Sequence, residues 1–207
     1  MTRRITQLLV GLVLYGTGCA LTVEAGLGVD PWTVFAEGIS VRTGIGVGWV
    51  TNIVGLIVLL LWIPLRQRPG VGTLANILVV GTTMQVALGV VPPMSGIVVQ
   101  IALLLGGILM VAVASGLYIG AHFGPGPRDG LMTGMHSRFG WPIWTCRLVV
   151  EASVLTVGWL LGGTVGIGTV LFAVLIGPLV HLALPLLDAP PQPKTRDRVL
   201  PATTPVV

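Results

Sequence analysis

Hydrophobic residues in this chain neither alternate nor recur as a single stripe. They run in long unbroken blocks separated by short polar or Gly/Pro-rich joints. Six blocks, near 5–25, 46–64, 71–91, 97–121, 141–161 and 166–187, are long enough to cross a hydrocarbon core of about 30 Å as helices of roughly 20 residues. Backbone groups find no water inside a bilayer, so these blocks must be helices; strands would need a closed barrel and would alternate in polarity.

Two joints stand apart. The first is Gly26-Leu-Gly28-Val-Asp30-Pro31-Trp32 and the second Gly124-Pro-Gly-Pro-Arg-Asp-Gly130. In each, glycines (Gly26 and Gly28; Gly124, Gly126 and Gly130) let the backbone turn sharply and approach other groups closely. A proline then opens a short helix, where its missing N–H costs nothing. The predicted short helices, 31–42 and 127–139, are too brief to cross a membrane. Asp30 fits an N-cap, and Asp129 suits the positive end of the second helix dipole. Arg128 opposes that dipole, so its presence points to a role other than helix stability.

On the first short helix Trp32, Phe35 and Ile39 oppose Thr33, Glu37 and Ser40; on the second Leu131, Met132, Met135 and Phe139 oppose Asp129, Thr133 and Ser137. Two placements are open. Such a helix can lie in the headgroup region, or it can be re-entrant, with its glycine-rich N-terminus offering free N–H groups to an anion.

Sliding the two halves past each other aligns Gly18, Thr22, Gly26 and Gly28 with Gly116, Gly120, Gly124 and Gly126, and Gly72-Thr73 through Gly81 with Gly168-Thr169 through Gly177. The expected fold is therefore an all-α membrane protein of two three-helix repeats, 1–95 and 96–187, each carrying one short helix. Three spans is an odd number, so the second copy enters from the opposite side, an inverted-topology repeat. The Pro-rich, charged stretch 188–207 is expected to be a disordered tail.

Composition agrees with the pattern. Of 207 residues 54% are hydrophobic and 9% charged, where a soluble domain carries roughly a quarter charged; mean hydropathy is +0.96. Arg3, Arg4, Arg66, Arg68, Arg128, Arg138, Lys194, Arg196 and Arg198 all fall on one face of a six-span chain, whereas the other receives Arg42. By the positive-inside rule both termini of this multi-pass chain are expected to be cytoplasmic. The net charge of +4 is thus a sorting signal, and no nucleic-acid partner is implied.

Ionisable groups inside spans are costly and ask for a reason. Arg147 and Glu151 stand at i and i+4 and can neutralise each other, as a structural pair or as part of a site. Glu24 and His122 hold matching places at the ends of spans one and four, as interfacial residues or proton-linked groups. Asn52, Asn76, Gln85, Gln100 and His181 are expected to bond between helices. Cys19 and Cys146 lack partners at metal-ligand spacing, so no metal or other cofactor is expected. The nucleotide-binding, zinc-protease and serine-elbow signatures are missing, and no enzymatic activity is expected.

The two joints, Gly28-Val-Asp30-Pro31-Trp32 and Gly124-Pro-Gly-Pro127-Arg128-Asp129-Gly130-Leu131, resemble the characteristic loops of the YczE-like (YczE/YyaS/YitT) bacterial integral membrane proteins. The resemblance implies a multi-span inner-membrane protein and brings no substrate with it.

Three functions follow for test. The first is a permease or exporter of an unknown small solute, with Arg128 and Asp129 meeting it from the cytoplasmic side, Asp30 and Glu37 facing the outer entrance, and Arg147 with Glu151 between. The second is a non-transporting membrane partner that holds or regulates another protein; a homo-oligomer or a membrane partner is a possible association. The third is a lipid-headgroup enzyme using Arg128, Asp129, His122 and His136.

Overall fold

The computed structural model describes residues 2–92 and 94–188. Their order is α1 (Thr2–Ala25), α2 (Pro31–Thr43), α3 (Val47–Leu65), α4 (Val71–Val90), α5 (Ile97–Gly120), α6 (Pro127–Phe139), α7 (Ile143–Leu161) and α8 (Ile167–Leu187). Among the described residues there is no strand, and six helices, all but α2 and α6, are long and apolar enough to cross a bilayer. The protein is an all-helical membrane protein, as its apolar blocks require. The expected tail beyond Asp188 lies outside the described residues.

Small residues decide which helices meet. Gly11 of α1 lies against Leu117 and Tyr118 of α5, while Gly18 lies against Val111 and Gly107, so the two helices run antiparallel through the middle of the molecule. A Cβ at either glycine would meet atoms at 2.9 Å, too close for any side chain. Gly16 packs on α4 beside Thr83 and Met84, and Gly116 and Gly120 of α5 receive α8 at Ala183 and Leu187. The ridge of small residues is thus a packing surface, the arrangement that membrane helices use where burying apolar area brings no gain. Outward faces carry Leu56, Leu60, Leu105, Leu109, Leu182 and Leu186, all exposed to where lipid would lie.

The short helices cross over between halves. α2 packs on α7, with Gly158 against the Phe35 backbone; α6 packs on α3, with Gly130 against the Trp62 ring and Gly134 against Leu65. The Trp62 indole N–H donates to the Pro127 carbonyl at 3.1 Å. The loop bonds are also paired: Gly72 N–H donates to Phe123 O at 2.9 Å, and Gly168 N–H donates to Leu27 O at 2.8 Å.

This packing departs from a helix lying in the headgroups. On α2 the polar Thr33 and Glu37 are buried along with Trp32 and Val34. A helix resting at the interface would turn that polar face to water; α2 turns it into protein instead, because its bonding partners are there.

Packed pairs form a nearly closed ring: α4–α3–α6–α7 along one side and α8–α5–α1–α4 along the other. The exception is α7 and α8, which hardly touch. The matching pair in the first half, α3 and α4, packs at Gly48 and Gly81, with Asn52 donating to Thr82 Oγ1 at 3.0 Å and Gly48 N–H to Gln85 Oε1 at 3.1 Å. Gly177, which corresponds to Gly81, has no neighbour within 4 Å of where a Cβ would stand.

Candidate functional site

Both Gly/Pro joints deliver a helix N-terminus to the same place. Asp30 caps α2, accepting from Trp32 N–H at 3.2 Å and Thr33 N–H at 3.4 Å through Oδ1, and from the Thr33 hydroxyl through Oδ2. Proline at the next position leaves one fewer donor to satisfy. On α6 the cap is Gly126 with Pro127 at the first helical position, which brings Arg128 and Asp129 into the opening turn.

The two turns meet. Arg128 Nη1 lies 3.2 Å from Asp30 Oδ1, and its guanidinium sits 5.1 Å from the centre of the Trp32 ring. The Asp30 side chain is 4% exposed and that of Arg128 25%. Arg128, anomalous for the dipole of its own helix, therefore serves the carboxylate that caps the other. A guanidinium suits this position because it can pair in its plane and stack on its face at once.

Asp129 takes a different partner. Its Oδ2 accepts the Tyr118 hydroxyl at 2.8 Å, and Tyr118 meets Tyr15 edge-on, with ring centres 6.1 Å apart. Further along, Arg147 Nε donates to Glu151 Oε1 at 3.0 Å, the i,i+4 pair that the spacing allows.

All of these groups border one cavity of about 490 Å³. Asp30, Arg128, Asp129, Arg147 and Glu151 line it, together with Tyr15, Trp32, Asn76, Tyr118 and His181. Apolar wall comes from Val54, Ile77, Val80, Phe172 and Ile176. The volume is within the range of pockets that hold small molecules, about 300–1,000 Å³.

Expectation and structure part at several residues. Asp30, expected to face the outer entrance, and Arg128, expected at the inner, are joined as an ion pair, a contact the sequence did not predict. Glu37 does not border the cavity. It accepts the Thr164 backbone N–H at 2.8 Å and so pins the α7–α8 joint to α2. His122, on a left-handed residue at the end of α5, lies 2.7 Å from Asp188 Oδ1 and away from the cavity. Asn52 and Gln85 do bond between helices, whereas Asn76 and His181 border the cavity. The buried Cys146 has no cysteine, histidine or carboxylate neighbours set as metal ligands; among the described residues no such group forms.

Tyr15, Tyr118 and Trp32 were not read as site residues in the sequence. A signal existed for the tyrosines: the chain has two, and both stand inside apolar spans where a hydroxyl needs a partner. Trp32 gave no signal beyond membership of an apolar face.

Residues 2–185 match a family of unknown function, DUF6198. The chain is similar to an uncharacterized protein of Haemophilus influenzae, 41% identical over 182 residues that cover 88% of this chain and 84% of the relative. It is also similar to the uncharacterized membrane protein YczE of Bacillus subtilis, 32% identical over 88% of this chain and 86% of the relative. A third relative, the uncharacterized protein YyaS of Bacillus subtilis, is 25% identical over 86% of this chain and 91% of its own length. No solved structure matches the chain.

Proposed function

This chain belongs to the family of unknown function DUF6198, and from that premise we propose that it is a small-solute permease of the bacterial inner membrane, with both termini cytoplasmic. The observation that carries the reading is the central cavity, at which two short-helix N-termini from different halves are joined through Asp30 and Arg128. Backbone that breaks a helix inside a membrane protein is tolerated where it lines a cavity, and paired broken elements at a repeat junction are how many transporters build a solute site.

The halves are related as inverted repeats. In support, the helix lengths run 24, 13, 19, 20 and then 24, 13, 19, 21. The short helices exchange docking partners, and the loop bonds of Gly72 and Gly168 correspond. Related halves need not be in the same state: α3 is closed on α4, and α7 is parted from α8. Exchanging those two states opens the cavity along α3 and α4 and closes it along α7 and α8, which is alternating access.

The test is transport with a lock. Purified protein in liposomes is offered a panel of small amines, carboxylates and neutral solutes, with cysteines replacing Asn52 and Thr82. Protein-dependent uptake of at least one solute is expected, stopping when a short thiol cross-linker ties α3 to α4 and returning on reduction. Uptake of none, or uptake indifferent to the cross-link, overturns the reading. A stoichiometric membrane partner that co-purifies with an inert protein would move the function to partner binding.

A further inference from the structure

The cavity holds more carboxylates than cations, and the excess is localised on one residue. Arg128 is engaged by Asp30 at 3.2 Å and by the Trp32 face, and Arg147 by Glu151 at 3.0 Å. Asp129 borders the same space without a Lys, Arg or His within ion-pair distance among the described residues. Its one side-chain partner is the Tyr118 hydroxyl, which donates at 2.8 Å and leaves Oδ1 free. His181 also borders the cavity, with no hydrogen-bond or ion-pair partner among the described residues.

The surroundings decide what kind of positive charge fits. A metal ion is held by several donor side chains, and among the described residues no group of three His, Cys, Asp or Glu is placed to hold one. Beside Asp129 stand the Tyr118 phenol and the Asn76 amide, and the cavity wall is otherwise largely apolar, with Ile77, Met132, Phe172 and Ile176. A largely apolar wall with one carboxylate left out of the ion pairs complements a cation carried on an apolar body.

We propose that Asp129, oriented by Tyr118, is the residue that binds a substrate cation, and that the substrate is an organic cation. The cavity accordingly rejects anions of the same size, although two guanidiniums border it. This rests on reading the cavity as a solute site, but it is separable from transport, because it concerns binding alone.

A pair of probes alike in size and shape but opposite in charge tests it: tetraphenylphosphonium and tetraphenylborate, each measured by equilibrium dialysis against the protein in nanodiscs, with protein-free nanodiscs subtracted. Saturable phosphonium binding and no protein-dependent borate binding are expected. Asp129→Asn should weaken phosphonium binding by about tenfold or more, the loss of one charge-assisted contact, and Asp129→Glu should restore most of it. Since the glutamate variant keeps the charge, recovery separates lost charge from lost fold.

Borate binding as tight as phosphonium binding overturns the proposal, as does an Asp129→Asn variant of unchanged affinity, or no phosphonium binding at all. Failure of the transport reading looks different: phosphonium binds through Asp129 but never crosses the liposome membrane. Uptake of an anionic or neutral solute by a protein that ignores phosphonium overturns the cation site and leaves the permease.

Discussion

Asp30 does two jobs with one carboxylate, and they can be separated. It accepts the first N–H groups of α2 and it holds the Arg128 guanidinium. Asp30→Ala loses both, leaving a charge in protein without its partner. Breaking a fully buried pair costs roughly 3–5 kcal/mol; with Arg128 a quarter open to the cavity, about 2–3 kcal/mol is expected, cap included. Asp30→Asn keeps an oxygen for the Trp32 N–H and should be milder by about 1 kcal/mol. Thermal unfolding in one detergent checks the order; equal losses in the two variants would mean that the cap contributes nothing. The cap was legible in the sequence, since Asp-Pro ahead of a short helix has one ordinary meaning. Its second job was not, because Arg128 stands 98 residues away and no local pattern joins them.

At the scale of helices, glycine position separates contact from clearance. A Cβ on Gly81 would collide with the Gly48 carbonyl and the Asn52 amide, whereas Gly177 has open space. Gly81→Ala is therefore expected to cost about 1–3 kcal/mol, as overpacking does. Gly177→Ala should be neutral to within about 0.5 kcal/mol, or slightly stabilising from the better helix propensity. Unfolding midpoints of the two variants, measured side by side, check the contrast; similar losses would mean that α7 and α8 rest in contact. The two glycines look alike in sequence, each in an apolar run after a Gly-Thr start. The short helices were legible to within a residue, as Pro31–Thr43 against an expected 31–42 and Pro127–Phe139 as expected. The difference between them was not legible: α2 buries its polar Thr33 and Glu37, whereas Asp129, Thr133 and Ser137 of α6 stay exposed, and amphipathic spacing describes two faces without saying which meet protein.

For the whole molecule, the proposed inverted arrangement makes a statement about sides. A cysteine at Thr43 or Ser95, both exposed, should react with a membrane-impermeant maleimide added to intact cells, and one at the exposed Pro69 only after lysis. Native Cys19 and Cys146 are buried and give a low background. Thr43 and Pro69 reacting from the same side would end the six-span topology. The sequence alone determined the class, the number of spans and the position of both Gly/Pro joints. A bilayer allows an apolar block of that length little choice but a helix, and proline with glycine punctuates helices by local sterics. Tertiary structure alone decided that α2 and α6 dock on the opposite halves, that Asp30 meets Arg128, that Glu37 pins a loop and that Asp129 is left without an ion-pair partner among the described residues. Each of those depends on where separate helices come to rest. In a membrane that is settled by close fit between small residues far apart in the chain, which hydrophobic pattern does not encode.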